Sequence, residues 1–200
     1  MGTHADAQYL LHHSQDVVLN MIGIVRRQRQ RGVSLIEMLV TLVILGVLMA
    51  TGVPMFTMWI QNTQIRTAAE AIMNGLQAAK NEAIRSNRAV HLEFTTGTGY
   101  VVNPKSDPEQ APPIRERSHD EGSYNAVATT TPGGGTVITF TALGRIDPNN
   151  HNGSPVITQI DIDNPSMPAA ESRELRIIIP AGGAIRMCDP QAPAGDPRAC

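Results

Sequence analysis

The reading turns on residues 31–60. They run Arg31-Gly32-Val33-Ser34-Leu35-Ile36-Glu37-Met38 and then, from Leu39 to Ile60, LVTLVILGVLMATGVPMFTMWI. A bilayer core of ~30 Å needs about 20 apolar residues in a helix, and Leu39–Ile60 meets that length. No charged residue occurs in the 28 positions from Met38 to Ile65. Arg26, Arg27, Arg29 and Arg31 crowd its N-terminal flank. By the positive-inside rule the N-terminus is cytoplasmic and the rest of the chain lies across the membrane, in the periplasm of a Gram-negative host. A cleaved secretory signal fits poorly. The apolar run is too long for its hydrophobic region, and no small-x-small site follows it. Glu37 also sets the segment apart from a plain anchor. A carboxylate costs ~2–3 kcal/mol at the bilayer centre and less near the ends, so one at the mouth of the run calls for a function.

Outward from this segment the chain is ordinary. Its 200 residues are 42% hydrophobic and 17% charged, enough apolar material for a core, which excludes global disorder. A formal net charge of −2 excludes a generally basic nucleic-acid coat and an acidic tail protein. Two cysteines exclude a disulfide-dense miniprotein.

Arg31-Gly32-Val33-Ser34-Leu35-Ile36-Glu37 followed by an apolar helix resembles the processing site of type IV prepilins. The resemblance implies cleavage by a membrane prepilin peptidase between Gly32 and Val33, and N-methylation of Val33 by the same peptidase/methyltransferase. Glu37 becomes the fifth residue of the mature chain. The family usually has phenylalanine or methionine where Val33 stands, and Gly46 and Pro54 fall where members commonly carry glycine and proline. In a bundle of such helices Glu37 of one subunit neutralises the new α-amine of its neighbour. Leaving either charge alone in that apolar setting costs several kcal/mol, so the pair sets register in a featureless interface. Residues 1–32 are then a cleaved leader. Met21-Ile22-Gly23-Ile24-Val25-Arg26-Arg27-Gln28-Arg29-Gln30-Arg31-Gly32 alone makes a compact basic one, so an upstream start is suspected and His12 and His13 receive no metal role.

Beyond Pro54 the helix is expected to continue. Ile65, Ala69, Ile72, Leu76, Ala79 and Ala83 step by three and four, one apolar stripe on an amphipathic helix, while Glu70, Asn74, Gln77, Asn81 and Arg85 fall off it. From Ser34 to about Asn87 that is ~80 Å if unbroken, with a kink or local melting expected at Gly52 and Pro54. The remainder reads as β: Val90–Phe94, Thr136–Phe140 and Val156–Ile162 alternate, Leu175–Ile179 is rich in β-branched isoleucine and suited to a central strand, and Tyr100–Val102 and Ala184–Met187 are shorter. Asn103–Gly122 is rich in Pro, Asp, Glu and Arg and reads as a long exposed loop. Gly133-Gly134-Gly135 is a turn and no phosphate cradle, since no Gly-Lys-Ser/Thr follows.

Three stretches narrow the resemblance to the H-type pseudopilins of type II secretion and the FimT/FimU minor pilins. They are Trp59-Ile60-Gln61-Asn62 with Arg66–Ala71, Thr139–Arg145, and Arg176–Pro180 with Gly183–Cys188. The implied fold is α+β and pilin-like: a long N-terminal membrane-spanning helix packed on an antiparallel β head of two small sheets. The expected organisation is leader 1–32, transmembrane and polymerisation helix 33–60, amphipathic continuation 61–88, and periplasmic head 89–200.

Cys188 and Cys200 both fall on the periplasmic side, where an oxidising environment favours a bridge. It would close a 13-residue loop, Pro-rich and polar, with a loop-entropy contribution of ~2–3 kcal/mol. Asp161-Ile162-Asp163 places two carboxylates on the solvent face of a strand, and His91, His119 and His151 show no ligand spacing, so no metal is expected. No nucleophile motif or placed carboxylate pair occurs. The expectation is a non-enzyme without cofactors. DNA is the rival partner. Some FimT-type pilins bind it through a C-terminal Gly-Arg-x-Arg pattern. Here the stretch is Gly183-Ala184-Ile185-Arg186, lacking the first arginine, with Arg198, Arg145 and Arg176 as further cations. After removal of residues 1–32 the chain has 12 basic and 16 acidic residues, the wrong sign for a phosphate-binding footprint. The sequence therefore predicts a minor type IV pilin of the inner membrane that joins other major and minor pilins. The alternatives are an H-type pseudopilin of type II secretion and a DNA-binding pilin.

Overall fold

A computed structural model describes residues 32–104 and 112–200. It divides into two units, one ending at Leu48 and one starting at Met49. A single helix, α1 (Leu35–Ser86), is their shared element. It opens at Ser34, whose carbonyl accepts the Met38 N–H at 3.1 Å, and Glu37 stands in its first turn. An acid is favoured there by the exposed N–H groups of the helix terminus. The local melting expected at Gly52 and Pro54 does not occur: both lie within α1. Proline removes only one i→i−4 bond, and the turns on either side keep theirs. Thr57 Oγ1 donates to the Pro54 carbonyl at 2.8 Å within the same stretch.

In the first unit the helix exposes its apolar side chains on all sides, including Leu42, Val43, Val47 and Leu48. It is the one described helix long and apolar enough to cross a membrane.

In the second unit the six stripe positions anticipated from the 3.6-residue period are all buried, joined by Ala68 and Gly75. Small residues let a backbone approach closely. A Cβ on Gly75 would sit 2.5 Å from Tyr100 Cζ, and the Tyr100 hydroxyl instead reaches α1 to donate to the Ala71 carbonyl at 3.0 Å. Burial raises the Tyr100 pKa above its ordinary value.

Two four-stranded antiparallel sheets complete this unit. Sheet 1 has the order β3 (Arg115–Arg117), β2 (Tyr100–Pro104), β1 (Val90–Phe94), β5 (Val137–Phe140). Sheet 2 has the order β4 (Val127–Thr131), β6 (Gln159–Asp163), β7 (Leu175–Ile178), β8 (Arg186–Cys188). Val90, Leu92, Tyr100, Val102, Ile138 and Phe140 of sheet 1 join Ile160, Ile162 and Ile177 of sheet 2 and the α1 stripe in one core. Period-2 alternation decides which side chains enter it. Leu175–Ile178 lies inside its sheet, between β6 and β8, and the Arg176 that interrupts its apolar residues pairs with Asp161 opposite it on β6.

Two elements depart from the sequence expectation. Residues 103–122 are not one exposed loop, although 105–111 lie outside the described residues. Pro104 ends β2, and Arg115–Arg117 pairs with Tyr100–Val102. Arg117 is buried because its guanidinium donors are met by Ser123 Oγ at 2.9 Å and by the Glu121 and Thr98 carbonyls. A buried charge is tolerated when its donors are satisfied, and composition cannot reveal that. Strand β4 carries Thr129, Thr130 and Thr131 and has no strong apolar alternation. Its place comes from pairing along Gln159–Asp163.

Candidate functional site

The expected processing and assembly residues sit at the head of α1. Gly32 and Val33 precede the helix and are exposed, and Glu37 is exposed in its first turn. Val33 is 67% exposed and Leu35 79%, so the apolar surface begins at the residue expected to become the new terminus. Among the described residues, no atom lies within 4 Å of where a Cβ on Gly32 would stand. The stretch 1–31, with the four arginines and most of the expected leader, lies outside the described residues.

The Cys188–Cys200 pair is bridged, with Sγ–Sγ 2.17 Å and Cα–Cα 5.1 Å. Inside the loop the Asp189 N–H donates to the Arg198 carbonyl at 2.7 Å, which draws the two ends together. Cys188 is buried at the end of β8 and Cys200 is exposed. Replacing both cysteines by serine should lower the unfolding free energy by about 2–3 kcal/mol, because the open chain regains the loop entropy. Urea unfolding of the intact chain and of the double variant, both non-reduced, measures it, and an unchanged midpoint would contradict the assignment.

This loop borders a groove of about 530 Å³ against α1, lined by Trp59, Asn62, Arg66, Met187, Cys188 and Arg198 among others. Asn62 holds the facing segment: its Nδ2 donates to the Glu171 carbonyl at 3.0 Å, and its Oδ1 accepts from the Arg173 N–H at 2.8 Å. The helix stretch Trp59–Asn62 singled out in the sequence thus adjoins the C-terminal loop.

The arginines considered for DNA do not form one free patch. Arg198 is bound to Asp196 through two contacts, at 2.8 and 3.1 Å. The Arg198 side chain, and then its backbone N–H, hold the Asp196 carboxyl down to about 2. Arg176 is paired with Asp161 at 2.6 Å. Arg186 is exposed and donates to the backbone oxygen of Cys200 at 3.2 Å. Arg145 is exposed in the turn after β5, beside Gly183: a Cβ on Gly183 would stand 3.3 Å from Arg145 Cα. Gly183, the first residue of the candidate pattern, is buried and used structurally. Its N–H donates to Pro180 at 2.8 Å, and its carbonyl accepts from Lys80 Nζ at 2.9 Å.

Asp161 and Asp163 flank the buried Ile160 and Ile162 as alternation requires, and both are engaged: Asp161 by Arg176 and Gln159, Asp163 by Ser172 and the Asn164 N–H. The histidines behave differently from what spacing suggests. His119 accepts from the Thr98 N–H at 3.3 Å and lies against Tyr124. His91 and His151, 60 residues apart, are neighbours with ring centroids 4.4 Å apart.

Comparison with known proteins gives the family. A family model described as "Type II transport protein GspH" matches residues 68–183, from the α1 stripe through both sheets. The chain belongs to the GspH family. A second model, the prokaryotic N-terminal methylation motif, matches residues 27–53, which contain Gly32, Val33 and Glu37. The fold is shared with the type IV minor pilin FimU of Pseudomonas aeruginosa. Its crystal structure in space group P21 aligns with a TM-score of 0.51 and 20% identity, covering 68% of this chain and 97% of that one. The P65 form of FimU aligns at TM-score 0.48 and 20% identity over 64% of this chain and 97% of that one. No curated protein matches the chain at a significant level. This member of the GspH family therefore carries an N-terminal methylation motif and, among the described residues, one long apolar helix and two antiparallel four-stranded sheets, the fold it shares with FimU. The motif implies prepilin peptidase processing and assembly with other pilins, and the apolar helix fits a membrane-anchored pilin.

Proposed function

We propose that the chain is a minor type IV pilin. It is cut by the prepilin peptidase between Gly32 and Val33 and methylated on Val33. It is held in the inner membrane by residues 33–60, with a periplasmic head formed by 89–200 and joined through the amphipathic 61–88. The head offers surfaces rather than chemistry, and its work is to join or prime a filament of major and minor pilins without catalysis or cofactor.

One observation carries this reading. A methylation motif over residues 27–53 runs without a break into a helix whose first half is apolar and exposed and whose second half is built into a pilin-type head. An apolar face of that size exposed to water is costly, and a bilayer or a bundle of like helices removes the cost. Intact-mass analysis of the membrane form, expressed with and without prepilin peptidase, tests it. The expected result is a chain starting at a methylated Val33 only when the peptidase is present. A membrane form that keeps Gly32 in the peptidase-positive host would overturn it.

A second reading, a pseudopilin of type II secretion, is supported by the GspH match itself. Deletion separates the two: loss of pili favours the pilus, loss of exported protein the secretion machine. Contact with DNA has weaker support, because Arg176 and Arg198 are committed to carboxylates and the chain beyond residue 32 is net acidic.

A further inference from the structure

Sheet 1 turns Val90 and Leu92 into the core, so the next positions on β1, His91 and Glu93, face the other way. That second face is covered at one end. Thr139 lies opposite His91 on β5 and its Oγ1 donates to Asn150 Oδ1 at 3.0 Å. Asn150 Nδ2 donates to the Val137 and Ser154 carbonyls, each at 3.0 Å. Asn150 therefore pins the loop after β5 across the sheet, and the residue that follows, His151, comes to rest beside His91.

The result is a group of three ligand-bearing side chains from two distant parts of the chain. A ring nitrogen of His91, a ring nitrogen of His151 and a carboxylate oxygen of Glu93 all lie within 4.8 Å of one another. Their exposure is graded: His91 is fully buried, Glu93 half-buried and His151 exposed. A second observation points to the same place. Asn103 on β2 is paired directly opposite His91 on its other side. Its side chain is nine-tenths buried, and its Oδ1 has no hydrogen-bond partner among the described residues.

We propose that His91, Glu93 and His151 bind a divalent transition-metal ion, with zinc the best match. Two imidazole nitrogens and one carboxylate oxygen are a borderline donor set. Zinc accepts it with three protein ligands and one open position, whereas calcium and magnesium prefer oxygen donors alone. Tetrahedral zinc at ordinary bond lengths holds ligand atoms roughly 3.4 Å apart. Closing from 4.8 Å takes small side-chain adjustments, which exposed His151 and half-buried Glu93 have room to make. Asn103 Oδ1 makes no hydrogen bond among the described residues, and with the ion bound it would be the outer acceptor that orients the His91 imidazole. The fourth position opens on the exposed His151 side. The ion would lock the 147–154 loop to the outer face of β1.

The test is Zn2+ titration of the full chain in detergent, with His4, His12 and His13 replaced by alanine so that the N-terminal histidines cannot contribute. Co2+ serves as the spectroscopic probe. One Zn2+ per chain is expected, with a Co2+ ligand-field band, insensitive to equimolar Ca2+. His151→Ala alters an exposed residue and leaves the fold intact, yet it should weaken Zn2+ binding by more than ~100-fold, beyond the ~10–100-fold loss of an outer-sphere partner. Glu93→Gln should do the same, and His119→Ala should change nothing. Absence of Zn2+ binding in the parent chain, or binding that survives both His151→Ala and Glu93→Gln, would overturn the assignment.

Discussion

Glu37→Ala is expected to abolish filament incorporation while leaving membrane insertion intact. The carboxylate stands in the first turn of α1, four residues past the expected new α-amine of Val33. In an apolar bundle an ammonium and a carboxylate from neighbouring chains satisfy each other. Removing one leaves the other buried and alone, a loss of about 3–5 kcal/mol per contact, or two orders of magnitude or more in association. Insertion does not suffer, because a charge has been taken out of the membrane mouth. Glu37→Gln keeps the shape and loses the charge, so it should fail like alanine; Glu37→Asp should retain partial function. Membrane-fraction level and filament content, measured together for the three variants, separate assembly from insertion. Normal incorporation of Glu37→Ala would remove Glu37 from the interface.

The second large effect is expected at Gly183→Ala, which should lower the unfolding free energy by about 2–5 kcal/mol. Gly183 has φ +76°, a left-handed conformation that costs an L-residue roughly 1–2 kcal/mol. A methyl group there would also overlap the Gly144 carbonyl oxygen, and backbone has no rotamer with which to move aside. A forced shift of this kind adds about 1–3 kcal/mol. The turn is a junction: the Ile146 N–H donates to the Ala181 carbonyl, and Lys80 of α1 donates to the Gly183 carbonyl. The two sheets and the helix are thus tied together where the substitution acts. A fall in Tm of about 5–15 °C follows for a domain of this size. Gly182→Ala, next door with open space around it, is the control and should be near neutral. Equal melting of the two variants would contradict the packing argument.

The shared origin of these effects is a division of labour along one helix. Where α1 is apolar all round its side chains are exposed, and in the proposed function lipid or like helices cover them and Glu37 sets register. Where its polarity becomes one-sided, from Ile65 on, it is the spine of a core. Gly75 and the alanines permit the close approach that lets Tyr100 reach the Ala71 carbonyl.

Much of this was legible from residue order alone because it depends on local periodicity and local chemistry. The apolar run with its arginine flank, the Gly32–Glu37 motif and the stripe from Ile65 to Ala83 need no partner to be recognised. The alternation in Val90–Phe94 and the isoleucine-rich Leu175–Ile178 likewise show their strands directly, and the expectation of an oxidising compartment pointed to the bridge between Cys188 and Cys200. What escaped depends on contacts between distant residues. Arg115–Arg117 is too short and too charged to look like a strand, and its burial rests on carbonyls and Ser123 that only the fold brings to Arg117. Helix continuity through Pro54 reflects cooperative bonding on both sides, which a residue-by-residue reading undervalues. The commitment of Arg176 and Arg198 to Asp161 and Asp196 is a matter of geometry, not of charge count. His91 and His151 are 60 positions apart and carry no spacing signal. Antiparallel pairing set which face His91 takes, and Asn150, bonded across β5, set where His151 comes to rest. Sequence by itself thus determined the apolar segment, the methylation motif and the helix that joins them, because each is written in neighbouring residues. Tertiary structure alone decided which charges are spent and which ligands meet, because those depend on strand register and loop anchoring.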